Sequence, residues 1–178
     1  MLGAILTQLI NKMKYIEQRT KTLELNEIDE FITNHIPYRI KILDTVISYP
    51  NKVNTDPLWP SIYESAQIVC RMFIQFLGLG VNGTDNPTLK ELTNYYSKDG
   101  INTYEVKIKD LGFDFVRLAE LTPEDINALA HAYEAGNRAT AHLTYKSPFK
   151  TDHNKVIRAA NIIRKIIDKK FKGELPLT

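Results

Sequence analysis

The chain of 178 residues is 43% hydrophobic and 25% charged, with a net charge of +2 and one cysteine, Cys70. That length fits a single domain, 1–178, whose core buries about two-thirds of the surface exposed by the unfolded chain, and its ordinary composition excludes a disordered or short-repeat protein. A lone cysteine excludes an internal disulfide and a thiolate metal site, and its apolar neighbours Ile68, Val69, Met72 and Phe73 assign it to the core.

The charge is unevenly spread. From Arg138 to Lys172 there are ten Lys or Arg and two Asp or Glu, a local charge of +8 against −6 for the rest of the chain. A basic end on a near-neutral protein points to an anionic partner. The apolar start, Met1 to Ile10, has no basic residues before it and no small-residue cleavage pattern, so it does not read as a signal peptide. No apolar run approaches the roughly 20 residues that cross a bilayer, so no membrane association is expected and the expected compartment is the cytoplasm.

In chain order, Leu2, Ile5, Leu6, Leu9, Ile10, Met13 and Ile16 recur at helical spacing and predict an opening amphipathic helix. Ile28, Phe31, Ile32, Ile36, Ile40, Leu43 and Ile47 predict a second, which Pro37 should kink or restart. Asp56-Pro57 or Trp59-Pro60 begins a third, apolar round much of its circumference through Leu77 and therefore the central helix, with Gly78 and Gly80 as stop residues. Residues 81–121 are the least regular: Lys90 to Tyr96 can form a short helix, and Tyr104, Val106 and Ile108 facing Phe113, Phe115 and Leu118 can form a β-hairpin. Thr122-Pro123-Glu124-Asp125 is a strong helix start, with a capping hydroxyl, proline in the first turn and two acids at the positive end of the dipole; that helix should reach His142. After Ser147-Pro148, Thr151 or Asp152 caps a last helix ending near Lys172. The fold class is thus all-α, an antiparallel bundle of about five helices with a small irregular insertion that has room for a β-hairpin.

The penultimate helix carries the candidate chemistry. Arg138 and His142 are four residues apart and so neighbours on one helix face, a permanent cation beside an imidazole that titrates near neutral pH. Such a pair suits phosphodiester chemistry, in which arginine holds phosphate and histidine moves a proton. Glu134 in front of Arg138 equally suits a helical ion pair, and His142 equally suits the negative end of the helix dipole. His131 reads as a surface or satisfied structural histidine, and neither a metal nor a cofactor is required. On the last helix Val156, Ile157, Ala160, Ile163, Ile167 and Phe171 share one face, while Arg158, Lys165, Lys169 and Lys172 form a basic outer stripe for nucleic acid.

The run Gly136-Asn137-Arg138-Ala139-Thr140-Ala141-His142, late in a helical chain, resembles the HEPN superfamily of bacterial toxin and abortive-infection domains. The resemblance implies a homodimer that cleaves RNA without metal through the ribose 2′-hydroxyl, with Arg138, His142 and Asn137 as catalytic residues and an antitoxin or nucleotidyltransferase as partner. In the family's usual motif arginine precedes the polar residue and four to six residues separate it from histidine; here the order is Asn137-Arg138, with three residues before His142. The alternative is a non-catalytic helical interaction module, a dimer or the partner of a neighbouring enzyme.

Overall fold

The computed structural model describes residues 24–48, 56–83, 86–92, 106–141 and 152–171. Among these residues the protein is mostly helical, with a small two-stranded antiparallel sheet. The expected opening helix over Leu2 to Ile16, the Tyr104 position, His142 and Lys172 lie outside the described residues.

The first described rod begins with α1 (Leu25–Glu30), passes through a π turn (Phe31–His35) and continues as α2 (Ile36–Ser48). Pro37 lies in the first turn of α2, so the α-helix restarts there as expected, by way of the π turn. Its missing N–H leaves the carbonyl four residues back without its donor, and the chain widens by one residue just before it: Ile36 N–H reaches back to the Phe31 carbonyl. The Thr33 hydroxyl donates to the Asp29 carbonyl at 2.8 Å and Arg39 Nη1 donates to the His35 carbonyl at 3.0 Å, so side chains serve the carbonyls of the distorted turn.

Helix α3 (Trp59–Phe76) starts with Pro60 in its first turn, behind Asp56, whose carboxylate accepts from Leu58 N–H at 2.9 Å. Gly78 ends it as expected, with φ +87°; a side chain there would also meet the Phe115 ring. Gly80 is no stop residue but lies within β1 (Leu79–Asn82), which pairs antiparallel with β2 (Thr88–Glu91), Leu79 opposite Glu91. The hairpin thus forms earlier than the alternation around Val106 predicts, and Lys90 belongs to a strand, not to a short helix. The later segment makes 3₁₀ turns at Ile108–Leu111 and Leu118–Glu120. Its apolar residues plug into the core singly: Ile108 and Val116 are buried, and Phe113 packs on Phe171 with ring centroids 4.8 Å apart. Glu91 ties this segment to the hairpin, accepting from Leu118 N–H and from Arg117 Nη1, each at 2.9 Å.

Thr122 caps α4 (Pro123–Ala141) through a 3.2 Å bond from Asp125 N–H, and Asp152 caps α5 (His153–Phe171) through a 3.0 Å bond from Asn154 N–H. Helix α2 packs on α3 and α5, α3 on α4, and α4 on α5, which closes the cycle. Trp59, Tyr63, Ile74 and Leu77 of the α3 segment, Leu129 of α4, and Ile163 and Ile167 of α5 are almost wholly buried at the centre. Cys70 lies among them, and burial pushes its thiol pKa up to about 12, so it stays protonated and inert at neutral pH. Gly136 of α4 lies against the α3 backbone, and beside it Tyr133 Oη accepts from Gln75 Nε2 of α3 at 2.9 Å.

Candidate functional site

The last turns of α4 gather two of the three expected catalytic residues on one carboxylate. Glu134 Oε1 accepts from Arg138 Nε at 3.0 Å and Oε2 accepts from Asn137 Nδ2 at 3.3 Å. The Glu134 side chain is only 12% exposed and that of Arg138 30% exposed, so this is no surface ion pair. A carboxylate removed from water costs several kcal/mol unless charge-assisted hydrogen bonds compensate it, and these two donors supply that compensation. Asn137 is half-buried beside Glu134. The pairing of Glu134 with Arg138 is readable from their spacing; the burial is not. Gly136 lies against the Gln67 carbonyl of α3, so the turn that carries Asn137 and Arg138 is pressed onto that helix.

His131 is a satisfied structural histidine with a specific task. Its Nε2 accepts the backbone N–H of Asp152 at 3.1 Å, which fastens the start of α5 to the middle of α4. Six residues earlier in α4 and six later in the chain from Asp152, Asp125 meets Arg158, through Nε at 3.1 Å and Nη2 at 2.8 Å, so α4 and α5 run antiparallel. Burial would raise the Asp125 carboxyl, but the bonds from Arg158 and Thr122 together hold it below its ordinary value.

Burial, then the positive charge of Lys155, with a further contribution from Arg138, lowers the His131 pKa below its ordinary 6.5, against the opposing charge of Asp152. The bond itself requires neutral imidazole with the proton on Nδ1. Below the unfolded pKa of 6.5 the unfolded chain binds more protons at this site than the folded one. The contribution of His131 is therefore complete above pH 6.5 and is lost as pH falls through the lower folded value. Urea unfolding between about pH 7.5 and about pH 5 should move to lower midpoint in the native chain, with a shallower slope in His131→Asn. Identical slopes would remove His131 from this role.

His153 is also structural: its ring lies edge-on to Tyr63 at 4.4 Å and to Trp59 at 6.3 Å. His35 stacks on Phe31 at 5.7 Å beside the π turn. Among the described residues no group of three or more His, Cys, Asp or Glu side chains is arranged to hold a metal ion, and no helix is long and apolar enough to cross a membrane.

The basic face of α5 differs in detail from its reading as a uniform stripe. Lys165 and Lys169 are exposed, whereas Arg158 is held by Asp125, and Ile157, expected in the core, is half-buried. Arg164 bonds both Asp44 of α2 and Asp168 of its own helix. Lys155, which the periodicity of the sequence does not single out, stands close enough to His131 to lower its pKa. No family model matches the chain, and comparison with curated proteins and with solved structures finds no match either.

Proposed function

We propose that the protein binds RNA and cleaves it without metal, as an endoribonuclease of toxin or defence type, with Arg138, His142 and Asn137 at the reacting phosphate. The observation that carries this reading is the buried Glu134 carboxylate, which orients Asn137 and Arg138 together in the last turns of α4, directly ahead of His142 in the chain. In the reaction a ribose 2′-hydroxyl attacks the adjacent phosphorus, the 5′-oxygen leaves, and a 2′,3′-cyclic phosphate forms. Histidine takes or returns the proton, while the guanidinium balances the charge gathering on the phosphoryl oxygens. A homodimer, and an antitoxin or nucleotidyltransferase partner, belong to the same proposal, as does a bundle completed by the helix over Leu2 to Ile16.

Purified protein incubated with RNA and a chelator should cleave it, and Arg138→Ala or His142→Ala should each lower the rate by about 100-fold or more while retaining the native circular dichroism spectrum. Full activity in both folded variants refutes the assignment. A second reading has its own supporting observation, since Arg138 is already engaged by a carboxylate only 12% exposed. On that reading the chain is a non-catalytic helical interaction module, and neither wild type nor variant cleaves.

A further inference from the structure

Helix α5 holds four cations in one sector. At 100° per residue Lys155, Arg158, Lys165 and Lys169 fall within about 80° of its circumference, and the rise of a helix spreads them over about 21 Å. The one acid of the nineteen-residue helix, Asp168, lies outside that sector and is bonded to Arg164. Arg158 is partly neutralised by Asp125, so the track has two ends. One is Lys155, one turn into α5 from Asp152, whose N–H bonds His131; the other is the exposed pair Lys165 and Lys169. Between the cations the same sector holds Ile162, with Ile166 just beyond its edge, each half-buried against the core.

We infer that this sector of α5 is the path of a single-stranded RNA backbone, with phosphates on Lys155, Lys165 and Lys169 and the strand led towards Arg138 at the Lys155 end. The inference rests on the RNA reading above and adds the path and the strandedness. A straight row of ammonium groups suits a polyanion, because each neutralised phosphate releases condensed counterions. A single strand is required because in-line attack by a 2′-hydroxyl needs a backbone free to leave regular A-form geometry. A membrane surface fits less well, since Ile162 and Ile166 are committed to the core and cannot insert into lipid.

The test uses the full chain and a labelled RNA strand of about twenty nucleotides whose 2′-oxygens are methylated, so that binding is measured without cleavage. The slope of log affinity against log salt should fall by about 2 in magnitude in K155Q/K165Q/K169Q, at about 0.7 per lost single-strand contact. K41Q/K90Q, which removes lysines of α2 and β2, should keep the native slope. An unchanged slope in the triple variant overturns the path, and tighter binding of a duplex of the same sequence overturns the strandedness. Either result leaves the proposed function standing if chelator-resistant cleavage persists. Binding to vesicles of anionic lipid with none to RNA overturns both.

Discussion

Gly136→Ala is expected to lower the unfolding temperature by several degrees, although alanine is the better helix former. A Cβ at this position would stand 2.5 Å from the Gln67 carbonyl oxygen and 2.7 Å from Arg71 Cβ. The carbonyl oxygen is backbone and cannot swing aside, so α3 and α4 must separate. Overpacking of this kind costs about 3 kcal/mol, against a gain of about 1 kcal/mol in helix propensity. The net loss of about 2 kcal/mol corresponds to about 4–8 °C in a chain of this size. Thermal unfolding followed by circular dichroism measures it directly. An unchanged or raised midpoint would show that the two helices part at no cost and that the close approach is not needed.

Glu134→Gln should be the most damaging isosteric change in the candidate site. It keeps the shape of the side chain but removes the charge that compensates Arg138 and turns one acceptor into a donor facing Asn137 or Arg138. The expected loss is about 1–2 kcal/mol, at the lower end for a bond to a charged group, because a guanidinium 30% exposed regains some hydration. A cycle with Arg138→Gln should give a coupling of about 1 kcal/mol from urea midpoints, whereas additivity within about 0.3 kcal/mol would reduce the pair to a spectator contact. If the protein cleaves RNA, Glu134→Gln should slow cleavage by less than Arg138→Ala does, since the guanidinium remains but is less firmly aimed.

Much of the helical architecture is written locally. The Thr122 hydroxyl, Pro123 in the first turn, Asp152 as cap and Gly78 as terminator act within a few residues of themselves, so composition and spacing suffice to place α4, α5 and the end of α3. The irregular middle is different. Val106 and Ile108 alternate like a strand, yet Ile108 is buried in a 3₁₀ turn, and the strands form at Leu79–Asn82 and Thr88–Glu91. Alternation records which residues are apolar, not which segment offers a partner with matching register. Pro37 is placed correctly as a restart, but that the restart is made through a π turn is not carried by spacing.

For the site, the sequence by itself determined that Glu134, Asn137 and Arg138 share neighbouring turns of one helix, and that the last helix is basic outside and apolar inside. The tertiary structure decided which of these charges are buried and what each one touches. Tertiary packing takes Glu134 out of water, where it accepts from both Asn137 and Arg138, while the antiparallel register of α4 and α5 gives Arg158 to Asp125 and Asp152 N–H to His131. Desolvation and long-range pairing depend on distances between segments far apart in the chain, which helical periodicity does not carry.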